Sequence, residues 1–258
     1  MSFSLVPGFA QRYPKDDDGG PSWRDSILIE SCCTTLDEAL AAQSRGADRI
    51  ELCTDLSCGG LTPPRDLIRE VVNQLSIPVN VLIRPQNAER SGRYMAQGAF
   101  FSSRSHIPER SEAFSAMDFV YEESDLDQMV ADIEYCKTVG AAGIVVGALT
   151  PDGAIDAPAM RRLVAAAAPL PVTFHRAFDV ATGDPFDDLE TVVALGCARL
   201  LTSGRAATAW DGRGLLSQLV RRAGDRLIVM PGCGVTPANL PLLQAFTRAR
   251  EFHGTRIP

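Results

Sequence analysis

Lysine is nearly absent from this chain of 258 residues, which has only Lys15 and Lys137. Neither residue follows a predicted strand, so a Schiff-base aldolase mechanism, which needs an active-site lysine, is excluded. The chain also lacks a Gly-x-Ser-x-Gly segment, which argues against a hydrolase of the serine-triad type. Histidine is scarce as well, and of His106, His175 and His253 only His175 ends a strong internal strand pattern.

Long apolar runs and an excess of basic residues are also missing. No uninterrupted apolar run approaches the roughly 20 residues that cross a membrane. The formal net charge is −7, whereas a nucleic-acid binder needs a basic patch for the phosphate backbone. We therefore expect neither a membrane nor a nucleic acid among the partners of this protein.

The beginning of the chain and its cysteines predict a cytoplasmic location. Residues 1–23 do not contain the basic segment followed by an apolar one that is typical of a secretory signal. The seven cysteines are odd in number and fall mostly within predicted strands or helices. Reduced thiols in the cytoplasm are the default for such a chain.

Short apolar runs alternate with helical patterns along most of the chain. The pattern predicts eight strands, at 27–33, 48–53, 78–84, 143–149, 172–176, 198–204, 226–230 and 251–255. Seven helices are predicted between them, at 34–46, 63–75, 124–139, 157–168, 185–195, 210–223 and 236–248. Eight strands with right-handed crossovers close most naturally into a (β/α)8 TIM-type barrel, here with its eighth helix missing. A doubly wound open sheet is the alternative, but no Gly-x-Gly-x-x-Gly turn follows the first strand.

Two segments do not fit the alternation. Residues 1–25 are rich in Gly, Pro and Asp and are predicted to form a flexible tail. Residues 85–117 are rich in Arg, Ser and Gly without a sustained period, so we predict an inserted loop there. The remainder of 26–258 is interpreted as a single barrel domain.

Titratable side chains lie at or just beyond the C-terminal ends of several predicted strands, where (β/α)8 enzymes carry their catalytic groups. These candidate catalytic residues are Glu30, Glu51, Arg84, His175 and Asp179. Strand residues alternate between faces, so Asn80 faces the lumen if Arg84 does, and Thr173 does so if His175 does. Val79, Val81, Ile83, Val172 and Phe174 then face the helices.

Buried charges are tolerated only when they are paired, so Glu30, Glu51, Arg84 and His175 are predicted to form one hydrogen-bonded cluster. One interpretation is a salt-bridge network that fixes strand register. The other is an active site for carboxylate and histidine acid–base catalysis on a sugar-like or small anionic substrate.

Two glycine-containing turns after predicted strands are candidates for anion binding. They are Thr202-Ser-Gly204 and Gly232-Cys-Gly234, the second of which leads into a helix start. With a nearby strand-end arginine, the candidate anion-binding residues are Arg176, Ser203, Gly204, Gly232 and Gly234. Such turns also occur simply because they connect elements tightly.

The cysteines at the ends of the first two strands are candidate metal ligands. Cys32 and Cys33 are adjacent on one strand and face opposite sides, so only one of them can pair with Cys53. Two thiolates suit Cu(I), whereas structural zinc takes four ligands at tighter spacings. Buried cysteines also serve as small apolar side chains, which is the alternative interpretation.

Seven motifs, in this order, resemble the CutC copper homeostasis family: ESCC (30–33), GADRIELC (46–53), GGLTP (59–63), IRP (83–85), PVTFHRAFD (171–179), LTSG (201–204) and MPGCGV (230–235). The resemblance extends from residue 27 to about residue 253. It implies a cytosolic (β/α)8 barrel that self-associates and is linked to copper tolerance and copper binding. The proposed copper-binding thiols of the family match Cys33, or its neighbour Cys32, and Cys53.

The chain departs from the family in its tail, in its insertion and in ending at Pro258, where relatives continue with a further loop and helix. Two functions are therefore expected as alternatives. The first is a Cu(I)-binding copper homeostasis protein, and the second is an enzyme with its active site at the barrel mouth. A barrel that serves only as an interaction scaffold is a third possibility.

Overall fold

The computed structural model of this protein describes residues 27–85, 115–255 and 257. The predicted tail at 1–25 and most of the predicted insertion at 85–117 lie outside these residues.

Eight parallel strands form a nearly closed barrel. They are β1 (Leu28–Cys33), β2 (Arg49–Leu52), β3 (Val79–Leu82), β4 (Gly143–Val146), β5 (Val172–Phe174), β6 (Arg199–Thr202), β7 (Ile228–Pro231) and β8 (Glu251–Gly254). The hydrogen-bonded order is β7-β6-β5-β4-β3-β2-β1-β8, and the end strands β7 and β8 contact each other. The predicted TIM-type barrel is thus confirmed, and the open sheet is wrong.

Each of the first seven strands is followed along the chain by an α-helix. The seven helices of the described residues are α1 (Leu36–Ser44), α2 (Arg65–Gln74), α3 (Glu123–Val139), α4 (Ala157–Ala167), α5 (Pro185–Ala194), α6 (Arg213–Ala223) and α7 (Leu240–Thr247). Local sequence explains several helix ends: the Thr35 side chain accepts from the Glu38 N–H at the start of α1, and Gly140, at φ 84°, ends α3.

Most predicted strands are longer than the observed ones, and in two of them the difference changes the position of a candidate site residue. β3 ends at Leu82 and β5 at Phe174, so Arg84 and His175 follow their strands. The reason is local hydrogen bonding: the N–H of Arg84 donates to Thr62 Oγ1, and the His175 side chain caps a 3-10 helix, Arg176–Val180.

The two faces of the barrel strands differ in chemistry. Their outer faces pack against the helices in one large apolar cluster, which contains the strand residues Val79, Val81, Ile83, Val172 and Phe174 as predicted. Asn80 lies in the lumen and donates to the Glu30 carboxylate. The lumen is therefore the polar part of the interior, and it holds the candidate site.

Candidate functional site

A buried network of polar side chains, here called the lumen cluster, occupies the barrel interior. It consists of Glu30, Arg49, Glu51, Asn80, Arg199, Glu251 and His253. Strand register brings its members together, because Glu30 of β1 is level with Arg49 of β2 on one side and with His253 of β8 on the other. Parallel strands that pair at this register point these side chains into the same layer of the lumen.

Glu30 lies at the centre of the lumen cluster and is fully buried. One carboxylate oxygen, Oε2, accepts from Arg49 Nε at 2.5 Å and from Asn80 Nδ2 at 3.1 Å. The other, Oε1, lies 2.9 Å from Nδ1 of His253. Arg49 also donates to Glu251 Oε2 at 2.6 Å, so one guanidinium joins carboxylates of two strands.

The environment pushes the pKa values of the two lumen glutamates apart. Burial alone would raise the pKa of Glu30, but the hydrogen bond with His253 and the charge of Arg49 outweigh it and lower the pKa to about 2. Burial and the nearby Glu30 charge raise the pKa of Glu51 to about 7, against the opposing charge of His253. Burial disfavours the charged form of His253, yet Glu51 and Glu30 together raise its pKa. A proton is therefore readily held between Glu51 and His253.

Cys32 and Cys53 form a thiol pair beside the lumen cluster. Their Sγ atoms are 3.3 Å apart, and the side chains of Leu82 and Val145 complete a small apolar cluster around them. Cys32 pairs in register with Glu51. Donor atoms of Cys32, Glu51 and His253 all lie within 4.8 Å of one another, which makes this corner of the lumen able to hold a metal ion.

Cys33 lies on the other face of β1. Of the two adjacent cysteines, Cys32 and not Cys33 is therefore the partner of Cys53. The Cys33 Sγ is 3.8 Å from the backbone oxygen of Ser31, and this residue belongs to the apolar layer between strands and helices. Alternation along the strand is the cause, because Cys32 takes the inward position. Burial raises the pKa of the Cys33 thiol to about 11.

His175 lies at the end of β5 and is separate from the lumen cluster. Its Nδ1 accepts the N–H of Ala177 at 3.2 Å, and its buried Nε2 has no hydrogen-bond partner. Burial and the charges of Arg84 and Arg176 lower the pKa of this imidazole to about 3, so it is neutral near pH 7. A Cβ on Gly147 would stand 2.4 Å from the ring, so only glycine there leaves room for it.

Arg84, which the sequence predicts to lie in one cluster with Glu30, binds loop carbonyls. Its Nη1 donates to the carbonyl oxygens of Cys58 and Gly60, each at 2.8 Å, and its guanidinium lies over the ring of Phe119. The Phe119 ring is also 5.0 Å from the His175 ring. Arg84 and His175 thus follow their strands and are held by contacts with nearby loop residues.

Asp179 organises the turn after β6. Its carboxylate accepts from the Thr202 hydroxyl at 2.6 Å, from the N–H groups of Ser203 and Arg205, and from Arg176 Nε at 3.0 Å. The N–H of Gly204 donates to Thr202 Oγ1. The turn predicted to bind an external anion thus directs these donors to a carboxylate of the protein itself or to a neighbouring hydroxyl.

The second predicted anion turn is likewise occupied by contacts within the protein. The N–H of Gly232 donates to the backbone oxygen of Thr202. A Cβ on Gly232 would stand 2.5 Å from Leu201 Cδ1, so this glycine allows two strands to approach closely. Gly234 takes a positive φ of 69°, and its carbonyl accepts from Asn239. The close approach of two strands explains the glycine at position 232, and the tight turn with positive φ explains the glycine at position 234.

Comparison with known proteins identifies the family. The sequence profile of the CutC family matches residues 27–97 and 114–257. This chain belongs to the CutC family. A protein named as a CutC family protein in Xanthomonas campestris pv. campestris is 43% identical over 227 residues, covering 88% of this chain and 82% of the relative. A Parabacteroides distasonis protein of the same name is 41% identical over 227 residues, covering 88% of this chain and 81% of the relative.

Solved structures agree with the family and the fold. A crystal structure described as the putative copper homeostasis protein CutC from Streptococcus agalactiae superposes with a TM-score of 0.74 at 29% identity, covering 90% of this chain and all of that one. A putative dihydrodipicolinate synthetase from Pseudomonas aeruginosa reaches a TM-score of 0.57 at 11% identity, over 89% of this chain and 70% of the other. The second likeness shows only the barrel fold. Among the described residues of this CutC-family chain, no helix is both long and apolar enough to cross a membrane.

Sequence reasoning missed much of the lumen cluster of this CutC-family barrel. His253 was placed in the last strand without a role, and Arg49, Asn80, Arg199 and Glu251 were not chosen as site residues. One signal was available: Arg49 with Glu51, and Glu251 with His253, are polar residues two apart in strands, so each pair shares a face. Two such pairs indicate a polar lumen on β2 and β8.

Proposed function

We propose that this CutC-family protein binds Cu(I) in copper homeostasis, with the sulfur atoms of Cys32 and Cys53 as ligands. The observation that carries the proposal is the distance of 3.3 Å between the two Sγ atoms, which come from the ends of neighbouring strands. Thiolates are soft ligands and favour Cu(I). The S. agalactiae structure is described as a putative copper homeostasis protein, which supports a role in copper homeostasis.

The thiol pair fits a copper ion with a small adjustment. Two sulfur ligands of one ion lie farther apart than two thiols in hydrogen-bond contact at 3.3 Å, so Cys32 and Cys53 must separate when they bind Cu(I). The Cys53 hydrogen bond and burial raise the pKa of Cys32 well above its usual value, so metal binding must displace a proton from this thiol. The apolar side chains of Leu82 and Val145 suit a soft ion of low charge.

Anaerobic Cu(I) titration against bicinchoninate tests this proposal. The wild-type protein is expected to bind one Cu(I), and the double variant Cys32→Ser/Cys53→Ser to bind it at least tenfold more weakly, since both soft ligands are lost. Cys33→Ser is the matched control, because it removes an adjacent thiol on the opposite face of the same strand. Equal Cu(I) affinity in the double variant and the wild type would contradict the proposal.

A second candidate function is acid–base catalysis on a small sugar-like or anionic substrate. It is favoured by two buried atoms without hydrogen-bond partners, Glu51 Oε2 and His175 Nε2, together with the Glu51 pKa near 7. In this function Glu51 exchanges a proton with the substrate, Glu30 and Arg84 position it, and Asp179 holds the turn beside it. Thermal shifts with a panel of sugar phosphates and carboxylates, lost in His175→Gln, would favour it.

We also propose that the protein is cytoplasmic and self-associates. A pair of reduced thiols requires a reducing compartment. The exposed apolar side chains of Leu242 and Phe246 lie one turn apart on α7, close to the half-exposed Trp210, and form a surface suited to a second subunit. Sedimentation velocity measures the oligomeric state.

A further inference from the structure

We infer that His175 is the hydrogen-bond donor of a binding site for a small oxyanion, a carboxylate or a phosphate group, at the end of β5 near Arg84 and Arg176. The inference rests on the second candidate function only in that both use this end of the barrel. It names the ligand group and the atom that binds it, and it requires binding but no reaction. None of the proposed copper ligands takes part.

The hydrogen bond of one ring nitrogen fixes the tautomer of His175. Nδ1 accepts the N–H of Ala177 at 3.2 Å, so this nitrogen carries a lone pair and not a proton. Burial and the charges of Arg84 and Arg176 lower the pKa of the imidazole to about 3, so the ring is neutral near pH 7. A neutral imidazole has one N–H and one acceptor nitrogen. The proton is therefore on Nε2, which makes Nε2 a donor without a lone pair for a metal ion.

This Nε2–H donor is buried and has no acceptor. His175 is 5% exposed, and its Nε2 has no hydrogen-bond partner in the part of the chain that the structure describes. A buried donor without an acceptor is costly, and most buried polar atoms of proteins have a partner. An oxygen atom of a ligand that accepts from Nε2 would remove this cost.

The imidazole ring is held in place on several sides. A Cβ on Gly147, which directly follows β4, would stand 2.4 Å from Nδ1, so the ring packs against the backbone of this glycine. The centre of the Phe119 ring is 5.0 Å from that of the imidazole, and the Phe174 ring is 6.2 Å away. A donor that is fixed before the ligand arrives loses little conformational entropy on binding.

The charges around the ring favour an anion over a neutral ligand. After burial, the largest cause of the low His175 pKa is the positive charge of Arg84; Arg176 acts in the same direction, and Asp179 acts more weakly in the opposite one. A positive electrostatic potential that disfavours a proton on the ring attracts an anion for the same reason. Guanidinium groups also bind carboxylates and phosphates directly. The preferred ligand group is therefore an oxyanion.

A ligand must displace a neighbouring side chain to reach Nε2, because this atom is buried. Arg176 directly follows His175, and its side chain is 23% exposed, so this cation lies near the ring and still reaches solvent. Its Nε donates to Asp179, which also accepts from the N–H groups of Ser203 and Arg205. The turn thus keeps other hydrogen bonds if Arg176 moves. We expect the ligand to enter along Arg176.

NMR of the full-length protein with ¹⁵N-labelled histidine tests the inference without any change to the site. At pH 7 the His175 ring should be neutral with its proton on Nε2. Its Nε2 resonance, assigned by its loss in His175→Phe, should shift saturably with inorganic phosphate or with succinate at constant ionic strength set by sodium chloride. The anion that saturates identifies the group as phosphate or carboxylate. A proton on Nδ1, or no saturable shift with either anion, would overturn the inference, and a buried water on Nε2 would give the second result.

Calorimetric titration of variants with the anion that saturates measures the contribution of each residue. His175→Phe keeps an aromatic ring but removes the donor, so binding should weaken by about tenfold or more. Arg176→Gln should weaken it by about two- to fivefold, because this cation is partly exposed. Arg226→Gln is the matched control, since Arg226 is an exposed arginine paired with Glu190, and it should match the wild type. Equal losses in Arg176→Gln and Arg226→Gln, with none in His175→Phe, would contradict the site.

The outcomes separate this inference from the proposed functions. Cu(I) affinity in His175→Phe should equal that of the wild type, because the proposed copper ligands lie at the ends of β1 and β2. Anion binding through His175 in a protein that does not bind Cu(I) removes only the copper proposal. A neutral sugar that stabilises the wild type while neither anion binds would remove this inference and leave the second candidate function.

Discussion

The lumen cluster and the turn organised by Asp179 are two buried charged regions of the same barrel, but they satisfy their polar atoms differently. Asp179 accepts from a hydroxyl, from two backbone N–H groups and from the Arg176 guanidinium. In the lumen cluster, Glu30 is equally well satisfied, whereas Oε2 of Glu51 has no hydrogen bond and two thiols lie beside it.

This difference distinguishes a carboxylate that only stabilises the fold from a carboxylate that is able to bind a ligand. A carboxylate with all its acceptors occupied fixes a loop and has little left to offer. A buried carboxylate oxygen without a partner, next to a thiol pair, can still gain energy from a proton, a metal ion or a ligand that donates a hydrogen bond. Both regions carry acid residues near strand ends, so residue type alone does not tell them apart.

The largest effect is expected from Glu30→Gln. This change replaces one carboxylate oxygen by an NH2 group that cannot accept a hydrogen bond, and it removes one of the two carboxylate charges that pair with the buried Arg49 guanidinium. We expect the free energy of unfolding to fall by about 3–5 kcal/mol. Urea denaturation followed by circular dichroism measures it.

Glu190→Gln is the control for this prediction. Glu190 pairs with Arg222 and Arg226 on the surface, where solvent screens the charges. Its replacement should alter stability far less than Glu30→Gln does. Equal losses in the two variants would mean that the lumen cluster does not stabilise the barrel as its burial indicates.

A smaller loss is expected from Asp179→Asn. The side chain is 4% exposed, and its charge supports several hydrogen bonds in the turn after β6. Loss of that charge should cost about 2 kcal/mol of unfolding free energy. If the turn is structural, the Cu(I) affinity stays at the wild-type level. Asp225→Asn, which breaks an exposed pair with Arg250, is the matched control.

Most of the fold was predictable from the sequence, because short apolar runs bounded by glycine and proline mark each strand and helix. The inward position of Asn80 followed from alternation alone. What the sequence did not contain was register: Glu30 is level with His253, more than 200 residues later, only because the barrel brings β8 beside β1. The contacts that hold Arg84 to Cys58 and Gly60 depend on loop conformation, which no periodicity encodes.

The last effect concerns the pH dependence of stability at His175. Burial and the charges of Arg84 and Arg176 lower its pKa to about 3 in the folded protein, from the usual histidine value of 6.5. Between these values the unfolded chain binds a proton that the folded protein does not. The contribution to stability is therefore complete above about pH 6.5 and is lost as the pH falls toward 3, by up to about 1.4 kcal/mol per pH unit.

Substitution of this residue isolates its contribution from those of other titrating groups. The stability of wild type minus that of His175→Gln, measured by urea denaturation from pH 7 to pH 4.5, should decrease steadily as the pH falls. Glu51 and His253 titrate in both proteins, so their contributions cancel in the difference. A difference that does not change with pH would show that the pKa of His175 is the same in the folded and the unfolded states, and Nδ1 would then gain a proton at low pH and could not accept from Ala177.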